Sequence, residues 1–542
     1  MRDRPIFTYQ TRLPAADGLE NVLSAYAALH GRAERSLFAA LQAGGARNDL
    51  KRDFQKRFGI TARQFNALRV GLDGKIASIK ARRPELMADV VARIRKAEKV
   101  IAKLAVRCPG TNKLHQKKRR MANLRSRLVV MQADHANTTV RLCFGSRRLF
   151  RAQFDLTANG YSSFDAWRGD WQAARADQFF VLGSQDESAG NQTCQAVLDQ
   201  EGSLTLTLRL PDALAEYGKQ LTIPGLCFAY GHEAIVAALH SGRHIITTTK
   251  AGTLTKKRVG SALSYRFVRD AKGWRVFVST QATAPQPVTC RLAGAIGIDI
   301  NVDHLALAET DRSGNLIGTR RIGLPTYGKT TDQAKALIGD AAVAIAALAA
   351  TTGKPVVIET LDFSKKKSEL EATDKAQARM MSSFAYNKAI SGIKAACFRA
   401  GVLVIEVNPA YTSVIGAVNH ARRHGISVHQ GAALAVARRG LGLSEAPTVR
   451  EASVPTRNGG HVTFSLPVRN REKHVWSHWS KIRTCLKMAH AAHFRSGEAK
   501  APPAPLPHAS QASGAIWIST AQTRGVNRRQ HCSADVLDDV PG

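Results

Sequence analysis

Two acids stand where buried strands should be. In "AIGIDI", residues 295–300, Asp299 interrupts a run of apolar and β-prone residues, and in "PVVIE", residues 355–359, Glu359 closes another. An ionised carboxylate on a core strand is costly unless a cation, a metal or an opening to solvent compensates its charge. The carboxyl ends of strands are where open α/β sheets bind ligands. Two acids brought together there repel each other unless a cation lies between them. Magnesium, a hard cation with oxygen ligands, suits such a pair, and ions of this kind activate water against a phosphodiester. The plainer alternative gives Asp299 a local turn bond and pairs Glu359 with Lys354 or Arg320. Asp303 and Asp362 lie nearby and compete for the same roles, with Asp303 ranked second.

The elements that must position these acids follow from hydrophobic period. Residues 295–320 predict three strands, with "DRSGN" as a turn; 331–350 predict a helix and "KPVVIETLDF", 354–363, a buried parallel strand. A helix over 381–401, the strand "VLVIEVNPAYTS" over 402–413 and a helix over 428–442 complete the series. Strands alternating with crossover helices define an α/β architecture. Upstream, 17–42 predicts a helix. Residues 48–73 predict a helix, a glycine break and another helix; 74–107 continue helical with an interruption near Pro84, and 112–134 follow. From 140 the period shortens. "TVRLCFGSRRLFRAQF" predicts a strand with Arg147 and Arg148 at its turn. "SLTLTLRLP" (203–211) and the segments across 243–280 predict further strands, with a helix near 166–178. Aromatic and arginine residues interleave in "WRGDW", "YRFVR" and "WRVF", a pattern that serves base stacking or an ordinary core.

Charge narrows the partner. Lys and Arg number 78 against 42 Asp and Glu, a net +36, which points to a polyanion, with DNA or RNA first. Neither a transmembrane run nor a lipidation signal supports a membrane partner. The eight cysteines form no CxxC pair, so a zinc site is not expected. The N-terminus lacks the apolar stretch of a secretory signal, and a cytoplasmic location is expected.

Taken together, "GIDINVDHLALAETDRSGN", "VVIETLDF", "SSFAYNKAISGIKAACFRAGVLVIEVNPAYTS" and "HQGAALAVARRG" resemble the RuvC-like nuclease domain of TnpB-type transposon proteins, relatives of the type V CRISPR effectors. The resemblance spans about 150 residues in order, 295–442. It implies a multidomain α+β and α/β chain with an RNase H-like (RuvC) catalytic domain at 291–450. A basic helical nucleic-acid-recognition region would occupy 1–135, a β-rich wedge-like domain 136–290, a basic C-terminal extension 451–497 and a disordered tail 498–542. Asp299 and Glu359 match the family's first two catalytic acids. The third, an aspartate before an Asn-Ala-Ala helix start, is matched by His429, with Gly431 at the asparagine. Imidazole ligates metals, although magnesium prefers oxygen, and His429 serves equally as a structural residue of a helix start. The family's cysteine knuckle has no counterpart in "IGAVNHARRHGIS" (415–427), where His420 and His424 are expected on a basic surface turn.

The function this implies is a transposon-associated, Mg2+-dependent, RNA-guided DNA endonuclease, with Mn2+ as a substitute metal and a guide RNA as partner. Asp299, Glu359 and His429 are the candidate catalytic and metal residues. Arg147, Arg148, Arg422, Arg423, Arg438 and Arg439 are the candidate phosphate contacts. The alternatives are an RNA-guided or RNA/DNA-binding protein with a dead nuclease site, an actin-like ATPase or sugar kinase, and a structural RNA-binding protein.

Overall fold

The structure, a computed structural model, describes residues 5–45, 47–248, 254–283, 285–360, 383–456 and 460–495. It divides into two compact units, Met1–Thr448 and Val449–Gly542. In the first, strand β1 (Ile6–Arg12) precedes helices α1 (Leu19–Gln42), α2 (Arg47–Phe58), α3 (Ala62–Arg107) and α4 (Asn112–Ala136). Helices α5 (Arg147–Ala152) and α6 (Phe164–Ala173) lead to β2 (Gln178–Val181), β3 (Cys194–Leu198), β4 (Leu204–Arg209) and β5 (Gln220–Leu226). Helix α7 (His232–His240) and strands β6 (Arg243–Thr248), β7 (Leu254–Val259), β8 (Ser264–Asp270) and β9 (Gly273–Gln281) follow. One core joins both stretches: Leu23, Tyr26, Phe54 and Phe65 of the helices pack with Phe179, Phe267 and Val276 of the strands. Tyr26, Phe179 and Phe267 stack in series, with centroids 4.1 and 4.7 Å apart. Burial of such aromatic surface is the main favourable term in folding.

Two expectations for this stretch are corrected. Helix α3 runs unbroken through Pro84, although proline removes a helical hydrogen bond. Packing against α4 supports it: the buried Arg83 guanidinium donates to the carbonyls of Asp134 and Thr139. The strand expected through Arg147 and Arg148 is a helix instead. Gly145 takes φ +89°, and the Ser146 hydroxyl accepts from the Leu149 amide at 2.9 Å, so the chain turns into α5.

Next come β10 (Ala295–Ile300), β11 (His304–Thr310), β12 (Leu316–Gly323), α8 (Thr331–Thr352), β13 (Val356–Glu359), α9 (Ser383–Arg399), β14 (Val404–Val407) and α10 (Val428–Gly440). They build a five-stranded sheet in the order β12-β11-β10-β13-β14. The first three strands form an antiparallel meander, and β13 and β14 run parallel to β10. Strand β14 is shorter than the run 402–413 because Pro409 cannot donate to a ladder. Alternation sends Ile296, Ile298, Val356 and Ile358 to one face, against Ile345 and Ala349 of α8 and Ile393 of α9. It sends Ala295 and Val357 to the other, against Val436 and Ala437 of α10. Helix α8 is long and apolar enough to cross a membrane, yet its Ile338–Ala349 stripe is buried in this core.

Helix α10 lies unusually close to the sheet. A Cβ on Gly297 would sit 2.0 Å from the Ala433 carbonyl oxygen, and one on Gly440 would sit 2.4 Å from a Val357 methyl. Residues 431–437 are all buried, which is why "GAALAV" consists of small and aliphatic residues. In the second unit, β15 (Glu451–Pro455) and β16 (His461–Ser465) pair antiparallel, and helix α11 (Val475–Arg495) buries Trp479 and Ile482. The tail expected from 498 lies outside the described residues.

Candidate active site

The geometry begins with register. Ile296 pairs with Val356 and Gly297 with Val357 across the parallel strands β10 and β13. Carried two residues on, the same register sets Asp299 level with Glu359 at the carboxyl ends of adjacent strands. Both follow the parity of Gly297 and Val357, so both belong to the face covered by α10. Helix α10 opens there with a capping box: the Ser427 hydroxyl accepts from the Gln430 amide, and the Gln430 side chain accepts from the Ser427 amide. His429 occupies that first turn, and its Nδ1 lies 3.1 Å from Asp299 Oδ2. An ionised aspartate only accepts, so Nδ1 carries the proton and donates. The His429 side chain is 45% exposed, with Nε2 on the ring edge away from that bond.

Around this pair lies a wider network. Asn301 Nδ2 donates to Asp299 Oδ2 at 3.0 Å. His304 meets Asp303 through Nδ1 at 2.8 Å, and Arg321 donates to the other Asp303 oxygen at 3.1 Å. The His304 and His429 rings meet edge to face, centroids 5.2 Å apart. The His304 hydrogen bond holds the Asp303 carboxyl below the usual carboxylate range. Tyr386, at the start of α9, is pushed up to about 12 by burial and then by the charges of Asp299 and Asp303. Its phenol therefore stays protonated beside the two acids. Glu359 accepts a 2.5 Å hydrogen bond from Thr412 Oγ1. Burial pulls the neighbouring Arg439 below the ordinary arginine range against the opposing charges of Glu359 and Glu445.

The structure thus bonds His429 to Asp299, and sets Glu359 level with Asp299 but bonded to Thr412. Among the described residues, no group of three or more His, Cys, Asp or Glu side chains gathers to hold a metal. Two carboxylates level at the ends of adjacent strands suit magnesium, which usually keeps several waters and takes one or two protein carboxylates. The donor set therefore fits that ion with Asp299 and Glu359 as its protein ligands.

Other expectations divide. Lys354 pairs with Glu309 at 2.6 Å, not with Glu359. Asp303 faces Arg321, and Asp362 lies outside the described residues. Arg147 and Arg148 are exposed on α5, and Arg422 and Arg423 are exposed on the short helix Arg422–His424. The other two, Arg438 and Arg439, also bond within the fold. Arg438 donates to the Gly314 carbonyl at 2.6 Å and Arg439 to the Ala410 carbonyl at 3.0 Å, so both brace the fold from half-buried positions. The basic surface turn expected at 415–427 is also corrected. Residues Gly416–Ala421 form a buried π-helical turn, and His420 Nε2 meets Glu445 Oε2 at 2.7 Å. Gly416 permits that packing: a Cβ there would sit 2.2 Å from the Ala432 amide.

Sequence reasoning missed Thr412, Tyr386, Asn301 and His304. Thr412 and Tyr386 lie inside quoted motifs, yet nothing in their spacing marks them as neighbours of the acids. Replacing Ser427 by alanine is expected to lower stability by about 1 kcal/mol, the usual loss for a helix cap, and to loosen His429. Denaturant titration reads the first effect, and histidine NMR line widths read the second.

No family model matches the chain, and no curated protein matches it. Among solved structures it is similar to T. thermophilus RuvC in complex with a Holliday junction substrate, at 16% identity over 26% of this chain and 89% of that one, TM-score 0.20. It is similar to a Cas12f1–sgRNA–target DNA complex at 10% identity, over 80% of this chain and 99% of that one, TM-score 0.32. A second Thermus thermophilus RuvC structure aligns at 19% identity over 38% of this chain and 96% of that one, TM-score 0.18.

Proposed function

We propose that this chain is a metal-dependent endonuclease of RNase H-like (RuvC) fold, guided by RNA to DNA and carried by a transposon. The observation that carries the nuclease reading is the placement of Asp299 and Glu359 at matching levels on adjacent parallel strands, beneath the helix start that brings His429 to Asp299. The guide RNA and the transposon rest on the sequence resemblance. A net charge of +36 supports the nucleic-acid partner.

In this reading Asp299 and Glu359 hold Mg2+ or Mn2+, which would supply Lewis-acid stabilisation and a water of lowered pKa. His429, oriented through Nδ1 by Asp299, offers Nε2 to take a proton from the attacking water. Asn301 fixes the Asp299 carboxylate, and Thr412 fixes Glu359. Arg147, Arg148, Arg422 and Arg423 neutralise phosphates from exposed positions.

A second reading is RNA-guided or RNA/DNA binding without cutting. It is favoured by the internal satisfaction of the acids: Asp299 Oδ2 accepts from both Asn301 and His429, and Glu359 accepts from Thr412. One experiment separates the two. The protein, purified with the RNA it retains, is incubated with supercoiled DNA matching that RNA, in Mg2+, Mn2+ or EDTA. Cleavage in metal alone, reduced about 100-fold by Glu359→Gln, is the expected result; that factor corresponds to about 2.7 kcal/mol in the barrier. Intact DNA beside a stable ribonucleoprotein selects the second reading.

A further inference from the structure

A cavity of about 1010 Å3 opens between the end of the β1–β9 ladder, the start of α7, and helices α8 and α9. It is far from small for a ligand pocket, and the site around Asp299 does not use it. Five aromatic side chains line it: Phe7, Tyr9, Phe228, Tyr230 and Phe398. Strand parity explains two of them. In β1 the half-buried positions are 7, 9 and 11, so Phe7 and Tyr9 share the inward side. Phe7 meets Phe398 of α9 at a centroid distance of 5.6 Å. Tyr9 lies against the backbone of Gly231, where a Cβ would come within 2.1 Å of the ring.

Two further features point to an occupant. On β9, buried positions alternate through Trp274, Val276 and Val278 to Thr280, where a polar residue stands in an apolar series. Thr280 is 3% exposed, its hydroxyl has no hydrogen-bond partner, and it lines the cavity. A buried hydroxyl without a partner is unfavourable, and a polar ligand edge would satisfy it. Tyr230, by contrast, is 85% exposed at the cavity wall, a flat ring in solvent with no packing role. The ionised side chains in the lining, Glu233 and Arg399, are of opposite sign. The interior therefore has no net charge to attract a phosphate. It suits a neutral flat ring with polar edges.

We infer that this cavity receives an unpaired nucleobase of single-stranded nucleic acid, stacked on Tyr230 and its aromatic neighbours and hydrogen-bonded by Thr280. The inference rests on the nucleic-acid part of the proposed function and not on the cutting. Stacking on an aromatic side chain contributes about 1–3 kcal/mol per base and tolerates sequence, because every base has a π face. A paired base is already stacked within its duplex and has no free face to offer, so the site discriminates single strands from duplexes.

The test is fluorescence anisotropy of the full chain in EDTA, where cleavage is silent. The probes are a fluorescein-labelled 20-nucleotide RNA, its DNA equivalent and the duplex of each. Tyr230→Ala is expected to weaken single-strand binding about 5- to 150-fold while duplex binding changes less than about twofold. Thr280→Val, which keeps the shape and removes the hydroxyl, is expected to weaken the same arm by a smaller factor. Irradiation with 4-thiouridine-substituted RNA should place adducts on peptides carrying Tyr230 or Tyr9. Equal loss on duplexes, unchanged single-strand affinity, or adducts confined elsewhere would overturn the site while leaving nucleic-acid binding intact. Failure of every probe to bind would overturn the site together with the nucleic-acid reading. A loss seen with RNA but not DNA would mark the guide strand as the occupant, and the reverse would mark the target strand; either supports the site.

Discussion

Alanine at position 297 is expected to destabilise the first unit by about 3 kcal/mol, at the upper end of overpacking effects, and to abolish the proposed cleavage. The added methyl would stand 2.0 Å from the Ala433 oxygen, 2.5 Å from the Ala437 nitrogen and 2.9 Å from the Ala437 Cβ. Two of those obstacles are backbone, so no side-chain rotation relieves them. Helix α10 must lift or slide, and it cannot do so alone. Gly440 packs on Val357 at its far end, and near its start there is no more room: a Cβ on Gly431 would sit 2.5 Å from the Gly416 carbonyl oxygen. Displacement carries His429 away from Asp299, so activity falls further than stability alone predicts. Guanidinium titration should show a lower midpoint with an unchanged slope. Under conditions where the variant remains folded, a cleavage assay should still show the loss. A variant with ordinary stability and activity would mean that α10 does not sit this close to the sheet.

Glu445→Ala is expected to lower stability by a similar or larger amount, about 3–5 kcal/mol, the usual effect of removing one partner from a buried ion pair. The Glu445 side chain is 8% exposed. Burial pushes its carboxyl upward, but the hydrogen bond and charge of His420, the charge of Arg438 and the Asn419 amide outweigh it and hold the carboxyl below the usual range. Arg438 Nε lies 3.2 Å from Glu445 Oε1, yet Nε has no hydrogen-bond partner, so that contact contributes charge rather than direction. A depressed carboxyl stabilises above its unfolded pKa, about 4.3 for glutamate. That stability disappears as pH falls through the lower folded value. Thermal melts of the native protein should therefore fall steeply below about pH 4. In Glu445→Gln, which keeps the shape without the charge, the melts should start lower at neutral pH and vary less in that acid window.

Much of the five-stranded sheet could be read from the chain, because there the hydrophobic period and the tertiary fold agree. Strands β10 to β12, helix α8, strand β13 and helix α10 all fall within a few residues of the expected ranges. Asp299 and Glu359 were visible because a charge inside an apolar strand is a local contradiction. Their level placement was not visible, since register between strands separated by a crossover helix is a tertiary property. The same reason hides Glu445, an ordinary acid in "LSEAP" until the fold buries it against His420. Local signals failed where packing prevailed over propensity: Pro84 within α3, and the β-prone run 139–154, whose residues from Arg147 to Ala152 fold as a capped helix. The mutual bracing of Arg438 and Arg439 with backbone carbonyls also escaped, because a basic pair on a helix reads as surface whenever its partners lie over 25 residues away.

Strand β1 pairs along its whole length with β9, from Ile6 opposite Gln281 to Arg12 opposite Arg275. On the ribosome this first strand emerges long before its partner. At about 5–20 residues per second, a nascent chain waits roughly 15–50 s before β9 is made. During that wait Phe7 and Tyr9 belong to an unpaired strand, and unpaired edges recruit other chains. A fragment ending before residue 273 is therefore expected to aggregate. Translation that slows within this interval should lower the yield of folded protein, and slowing after residue 281 should not.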